Sequence, residues 1–159
     1  MITVRLAEPK DAAAAVDVLR RSITQLCKAD HRGDPDALAA WLSNKTPENF
    51  LSWLENVDSY CVVAEADDAL AGVALLHRSG EINLLYLAPG AQRRGIGNAL
   101  HAALEKRANA WCVPKLCLES TALACPFYEA LGYRRLATAG SRFGVPRCHA
   151  YEKTLRPDA

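Results

Sequence analysis

The strongest structural signal in the chain is the segment Leu87-Ala88-Pro89-Gly90-Ala91-Gln92-Arg93-Arg94-Gly95-Ile96-Gly97-Asn98-Ala99-Leu100. It reads as the end of an apolar strand, a bend, and a helix that opens with two glycines. The first N–H groups of a helix have no intrahelical acceptor, and the aligned peptide dipoles place roughly +0.5 of an elementary charge at that end. The segment therefore predicts a binding site for an anion such as phosphate.

Four residues set the chemistry of this predicted site. Gly95 and Gly97 remove side chains that would block a close approach by a ligand, and Arg93 and Arg94 add positive charge beside it. The segment is not a P-loop, because no Gly-Lys-Ser/Thr follows, and it lacks the third glycine of a dinucleotide fingerprint. From these residues alone, a tight packing contact between strand and helix remains the alternative to a ligand site.

The helix that follows the glycines has one apolar face. Apolar residues recur at steps of three and four, at Ile96, Leu100, Ala103, Leu104, Ala108 and Trp111. The other face carries polar and charged residues. This periodicity predicts that the helix packs on a sheet.

Length and composition bound the class of protein. The 159 residues carry a formal net charge of +1, and half of them are hydrophobic. We expect a single domain over residues 1–159, and the charge balance gives no support for nucleic-acid binding. The first twenty residues are rich in charge and contain no long apolar run, so we expect neither a signal peptide nor a membrane span, and a cytoplasmic location.

Cysteine and histidine usage argues against disulfides and metal. The six cysteines include no Cys-x-x-Cys pair and lie mostly in apolar runs, which is typical of reduced core thiols. The four histidines are scattered without ligand spacing. We therefore expect no metal site.

The remaining pattern predicts a mixed α/β domain in which several short helices precede most of the sheet. Alternating and apolar runs predict strands at 2–6, 60–66, 70–77, 81–87, 115–119, 133–138 and 148–155. Helical periodicity and capping residues predict a first helix that is entered through residues 8–11 and runs to about residue 27. Further helices are predicted over 36–43, 47–54, 95–111 and 122–131. Gly132 has the position of the residue that ends the last helix.

A second segment makes the pattern specific. Residues 116–133 read Leu-Cys-Leu-Glu-Ser-Thr-Ala-Leu-Ala-Cys-Pro-Phe-Tyr-Glu-Ala-Leu-Gly-Tyr, a strand and helix that end in Tyr-x-x-x-Gly-Tyr. Together with Gln92-x-x-Gly95-x-Gly97 and the order of the elements, this segment resembles the GCN5-related N-acetyltransferase (GNAT) superfamily. The resemblance covers about residues 2–155 and is strongest over 81–133.

The resemblance implies the fold and the donor. The fold would be a mostly antiparallel sheet of about seven strands with helices on both faces, and its fourth and fifth strands would splay apart around acetyl-CoA. Backbone groups of Leu85, Tyr86 and Leu87 would bind the pantetheine arm, and those of Gln92, Arg93, Arg94, Gly95, Ile96, Gly97 and Asn98 would bind the pyrophosphate. The resemblance also implies that Thr121 contributes to cofactor binding. The family often has Asn at this position, so whether Thr121 bonds to the pantetheine arm or to the start of the helix is left open.

The resemblance also implies direct attack of an amine on the thioester. An alkylamine of pKa near 10.4 is about three units from its free form at pH 7, which costs roughly 4 kcal/mol unless a base removes the proton. Glu81 lies fourteen residues before Gly95, as the catalytic glutamate does in the family's histone acetyltransferases. Glu119 or a water molecule is the alternative base, and Glu81 could simply be solvated at a turn.

Tyr128 has the position of the family's tyrosine and would protonate the departing thiolate. Its phenol is a donor at pH 7. The alternative is a core tyrosine that packs beside Phe127 and Leu131.

The acceptor would be a primary amine of a small molecule or peptide. A homodimer is a possible assembly of the protein. Candidate acceptor contacts lie in the helical region after the first strand, on the fourth strand and in a late loop, at Cys27, Asp30, His31, Trp41, Tyr86, Arg142 and Phe143. A non-catalytic module that binds or senses acyl-CoA is the alternative function.

Overall fold

The structure, a computed structural model, describes residues 1–136 and 149–155 and contains two antiparallel sheets flanked by helices. The strands are β1 (Ile2–Leu6), β2 (Ser59–Ala66), β3 (Ala69–His77), β4 (Ile82–Leu87), β5 (Lys115–Ser120), β6 (Arg134–Arg135) and β7 (His149–Thr154). The helices are α1 (Ala12–Leu26), α2 (Lys28–His31), α3 (Pro35–Leu42), α4 (Pro47–Glu55), α5 (Ile96–Ala110) and α6 (Cys125–Ala130), and a 3₁₀ turn (Pro9–Asp11) precedes α1.

The first sheet has the strand order β1-β2-β3-β4 and the second β5-β7-β6. The turn between β2 and β3 is made by Asp67 and Asp68, whose φ angles of 54° and 63° suit the two-residue hairpin turn that matches strand twist. The predicted antiparallel order of the strands is therefore confirmed.

The two sheets meet at one bridge, between Glu81 and Cys117, where β4 and β5 run parallel. The Cys117 N–H donates to the Gly80 carbonyl over 2.9 Å. Gly80 has a φ of 99°, and a Cβ there would lie 2.2 Å from the Lys115 carbonyl oxygen, so glycine is required for this approach. Beyond the bridge β4 and β5 belong to separate sheets, which confirms the predicted gap between the fourth and fifth strands.

Helices cover both faces of the first sheet. α1 packs on β3 and β4, and α5 packs on β1 to β4. Ile96, Leu100, Leu104 and Ala108 of α5 are fully buried, as the periodicity predicts. α5 approaches β3 so closely that a Cβ on Gly72 would lie 2.7 Å from Leu100 Cδ1. No helix in the described ranges combines the length and apolarity that a bilayer crossing needs.

Some element boundaries differ from the prediction. α6 begins at Cys125 rather than at 122, because residues 122–124 form a turn whose first N–H bonds to a distant side chain. α2 is a single extra turn after Cys27 that the sequence did not indicate. β6 is limited to Arg134–Arg135, and the predicted strand residues 137–138 and Cys148 lie outside the described residues.

One buried residue of α5 is polar. The His101 side chain is 2% exposed, and its Nε2 lies 2.7 Å from the Tyr133 hydroxyl. Burial, above all other causes, lowers the pKa of His101 to about 4. The α5 periodicity predicted this face as purely apolar, and the Tyr133 hydroxyl is what makes a histidine tolerable there.

We expect His101 to make the fold acid-sensitive. An imidazole whose pKa is lowered on folding contributes stability above pH 6.5 that is lost as the pH falls toward 4, because only the unfolded chain then takes up the proton. At pH 5 the loss is about 2 kcal/mol of unfolding free energy. Urea unfolding at pH 7 and pH 5 measures it.

His101→Gln should remove most of this difference between pH 7 and pH 5. The matched control is His77→Gln at the turn before β4, which should leave the difference unchanged. An unaltered pH dependence in His101→Gln would show that other groups cause it.

Candidate functional site

The gap between β4 and β5 is a cavity lined by both strands and by α6. Its described lining comprises Ile82, Asn83, Leu84, Leu85, Tyr86, Leu118, Glu119, Ser120, Thr121, Ala124 and Tyr128. One cavity is thus lined by two predicted ligand-binding strand residues, by the predicted tyrosine and by one of the two candidate bases.

The edge of β4 presents main-chain groups to this gap. In an antiparallel ladder, successive residues direct their N–H and C=O groups alternately toward and away from the partner strand. Ala88 donates to the Ala71 carbonyl of the β3 side over 2.8 Å, and the register continues through Gly72↔Leu87 and Ala74↔Leu85. The alternation directs the amides of Leu85 and Leu87 into the gap, whereas the Tyr86 amide bonds to β3.

β4 is also bulged near its start. Leu75 pairs with Leu84 and Leu76 with Ile82, so Asn83 is the extra residue. A bulge bends its strand and increases the local twist. Here it turns β4 away from β5 immediately after the bridge at Glu81.

The start of α5 carries unused main-chain donors. Gly95 is the N-cap residue with a φ of 84°, and the first amide of this region that bonds to a backbone carbonyl is Ala99, which donates to Gly95. Among the hydrogen bonds of the described residues, none has a backbone N–H of residues 92–98 as donor. Donors of this kind at a helix start are suited to hydrogen-bonding an anion, so the geometry is compatible with the site that the sequence predicts. Anion binding itself stays a prediction.

The side chains around this helix start differ in role. Gln92 Oε1 accepts from the Gly90 N–H over 2.9 Å and so stabilises the bend. Arg94 is paired with Asp67 over 2.7 Å, while Arg93 is exposed. Asn98 is exposed and Ile96 is buried, so Ile96 contributes its N–H alone.

Gly97 is surrounded differently from Gly95. A Cβ on Gly97 would lie 3.1 Å from the Phe127 ring of α6, whereas a Cβ on Gly95 would meet only Ile2 Cδ1, at 4.0 Å. Gly97 therefore permits the packing of α5 against α6. Gly95 permits the left-handed backbone and leaves open space beside the unused N–H groups.

Tyr128 reaches the gap from α6 and is 5% exposed. Its ring meets Phe127 and Tyr133 edge to face, with centroids 5.1 and 5.3 Å away. Burial, followed by the nearby Cys125 thiol, raises the pKa of Tyr128 above its ordinary value. The phenol therefore keeps its proton at neutral pH, as a general acid must.

The two candidate bases occupy different places. Glu81 is at the narrow end, where its Oε1 accepts from Asn83 Nδ2 over 2.7 Å. Glu119 stands two residues beyond Cys117 on β5 and lines the gap, with its Oε2 shielded from solvent. Glu119 and Tyr128 are both among the described lining residues of the cavity, whereas Glu81 is not. Which of the two carboxyl groups acts as the base stays a prediction.

The turn between β5 and α6 is organised by Thr121. Its carbonyl accepts from the Ser120 hydroxyl over 2.7 Å and from the Ala124 N–H over 3.2 Å. Its Oγ1 lies 3.3 Å from the same N–H. Thr121 thus caps the turn that leads into α6.

A sequence profile of the acetyltransferase (GNAT) domain family matches residues 29–155. The chain belongs to this family. No match was found among curated protein sequences. The family and the fold predicted from the two sequence segments are both confirmed.

Solved structures of other proteins share the GNAT fold over nearly the whole chain. A GCN5-related N-acetyltransferase from Rhodopseudomonas palustris superposes with a TM-score of 0.82 at 25% identity, covering 96% of this chain and 95% of its own. The PaiA N-acetyltransferase from Thermoplasma acidophilum, in complex with coenzyme A, gives 0.82 at 23% identity, with 98% and 99% covered. YncA from Salmonella typhimurium, solved with acetyl-CoA, gives 0.76 at 19%, with 100% and 96% covered.

The wall of this GNAT domain beside β4 contains a buried apolar cluster. Ile23, Cys27 and Trp41 form a buried cluster against which Tyr86 packs. Burial raises the pKa of the Cys27 thiol to about 12, so the thiol is inert at neutral pH. Of the predicted acceptor contacts, Arg142 and Phe143 lie outside the described residues.

Both ring nitrogens of His31, which belongs to this wall, form hydrogen bonds with backbone groups. Its Nδ1 accepts from the Gly33 N–H over 3.0 Å, so Nε2 carries the proton that it shares with the Ile23 carbonyl, also at 3.0 Å. His31 therefore holds α2 against α1. Its proximity to Asp30 in the sequence gave no indication of this role.

Substitutions at Gly97 test whether this glycine is needed for the packing of α5 on α6 or for leaving space for a ligand. Gly97→Ala should lower the unfolding free energy by roughly 1–2 kcal/mol and weaken CoA binding, because the added methyl group collides with Phe127. Since the methyl group points at that ring, Gly97→Ala with Phe127→Leu should recover both properties. Urea unfolding and calorimetry with CoA measure them, and Phe127→Leu alone is the control. A double variant that is stable yet still binds CoA weakly would show that Gly97 clears space for the ligand itself.

Proposed function

We propose that the protein transfers the acetyl group of acetyl-CoA to a primary amine of a small molecule or peptide, by direct attack within a ternary complex. Membership of the GNAT family supports acetyl transfer in general. Neighbours solved with coenzyme A and with acetyl-CoA support the donor. The observation that carries the proposal is that the Tyr128 phenol and the Glu119 carboxyl group line the same gap as the edge of β4, which among the described residues pairs with β3 on its other side.

The donor would be held mainly by main-chain groups. The amides of the pantetheine arm can pair with the edge of β4 at Leu85 and Leu87, as a short added strand would. The pyrophosphate would accept hydrogen bonds from the N–H groups of residues 92–98, with Arg93 and Arg94 beside it. The pantetheine edge and the pyrophosphate site would thus follow one another along β4 and the bend after it.

The reaction needs one base and one acid. Glu119 would take the proton of the ammonium, and the free amine nitrogen would then bond to the thioester carbon. A β4 amide would donate to the developing oxyanion. As the carbon–sulfur bond breaks, Tyr128 would donate its proton to the thiolate, and the second proton lost from the acetylated nitrogen would restore the phenol. The products are the acetylated amine and CoA, and Glu119 then releases the first proton to solvent.

We assign the base to Glu119 because it lines the gap with Tyr128, whereas Glu81 is bonded to Asn83 at the narrow end. Glu119→Gln should lower kcat roughly 10²-fold at pH 7 and recover part of the rate at high pH, where the amine is free without a base. Glu81→Gln is the matched control and should stay within about threefold of the wild type. Release of free thiol with a panel of amines measures both.

The opposite ranking of these two variants would move the base to Glu81. If neither variant changed the rate, a water molecule would be the proton acceptor. A wild-type protein that binds CoA but releases no thiol with any amine would be a sensor rather than an enzyme.

Tyr128→Phe tests the acid. The ring and its contacts with Phe127 and Tyr133 are kept, so only proton donation is lost, and kcat should fall roughly 10²-fold with little change in CoA affinity. The matched control is Tyr60→Phe, at a half-buried position of β2 beside Trp111 and outside the described lining of the gap, which should retain the wild-type kcat. Unchanged turnover of Tyr128→Phe between pH 6 and pH 9 would exclude the role.

A further inference from the structure

Asp30 is a buried acid that the reaction described above does not use. It belongs to α2 and is 2% exposed. Both of its carboxylate oxygens accept from the Ala122 N–H, over 3.1 and 3.2 Å. The contact joins the helical wall beside β4 to the turn at the end of β5, across 92 positions of the chain.

The turn that Asp30 holds places Tyr128. The Ala122 N–H lies one residue after Thr121 and three residues before the start of α6. Because α6 is less than two turns long, its position depends on the turn from which it starts. Tyr128 in turn donates its N–H to Ala124 over 3.1 Å, so a shift of the turn would be passed to Tyr128 directly.

Hydrogen bonds of His31 hold α2 in place, so Asp30 reaches the Ala122 N–H from an anchored helix. His31 bonds to the Ile23 carbonyl and to the Gly33 N–H, and the helix ends at Arg32 in a left-handed conformation. α2 follows Cys27, a member of the cluster against which Tyr86 of β4 packs. α2 is thus anchored to the β4 side of the gap, while Asp30 reaches to the β5 side.

We propose that Asp30 is a positioning residue for acetyl transfer, which sets the width of the gap at its β5 side and the place of Tyr128 within it. This inference rests on the proposed function. A carboxylate bond to a backbone N–H is stronger than one between neutral groups, which suits a contact that must keep two sheets at a set separation. Burial, the largest cause, raises the pKa of Asp30, and the bond from Ala122 opposes that rise.

The test compares Asp30→Ala and Asp30→Asn with Asp34→Ala. Asp34 lies on the same segment and also accepts a backbone N–H, from Asp36, but at an exposed helix start. We expect Asp30→Ala to lower kcat at least tenfold, with CoA affinity within twofold of the wild type because the N–H groups of residues 92–98 are untouched. Asp30→Asn keeps an oxygen for the Ala122 N–H and should recover kcat to within about threefold of the wild type.

Two readouts do not depend on turnover. Amide hydrogen exchange over residues 119–131 should rise at least tenfold in Asp30→Ala and stay unchanged in Asp34→Ala. The NMR ring signals of Tyr128 in the CoA complex, assigned with Tyr128→Phe, should shift only in Asp30→Ala. Unchanged exchange and ring signals would overturn the proposal.

Faster exchange with wild-type kcat would also overturn it, because Asp30 would then be structural only. If the wild-type protein releases no thiol with any amine, the proposed function fails. Exchange and the Tyr128 signals still decide whether Asp30 positions the turn.

Discussion

The architecture depends on how β4 and β5 are joined. They run parallel and meet at the bridge between Glu81 and Cys117, where Gly80 lets the two backbones come into contact. The bulge at Asn83 follows, and beyond it the outer edge of β4 pairs with no strand among residues 1–136 and 149–155. Main-chain groups that are not paired with another strand must be satisfied by water or by a ligand. One close contact and one extra residue therefore create both the gap and its binding edge.

Most of the candidate site is backbone. The amides of Leu85 and Leu87 and the N–H groups at the start of α5 provide the donors, so many different side chains could stand at these positions without changing the chemistry. Few side chains enter the proposed reaction: Tyr128 as the proposed acid, Glu119 as the proposed base, and small residues at the helix start that leave room for a ligand.

Buried polar contacts connect elements that the sequence keeps far apart. His101 of α5 meets Tyr133, which packs on Tyr128, and Asp30 of α2 meets the turn before α6. Such contacts are costly unless both partners are in place, and they therefore favour one arrangement of the elements over nearby alternatives. The position of Tyr128 therefore depends on contacts from two helices, α5 through Tyr133 and α2 through the turn before α6.

Local sequence determined the strands, the long helices, the turn at Asp67 and Asp68, and the helix start at Gly95, because each depends on periodicity, capping or φ within a few residues. It also determined the family, through two motifs that each lie on consecutive residues. Only the tertiary structure decided that Glu119 and Tyr128 line one cavity, that Phe127 fills the space beside Gly97, and that Asp30 bonds to Ala122. These outcomes depend on a strand bulge and on the packing of elements up to 92 residues apart, and no periodicity within one segment encodes such distances.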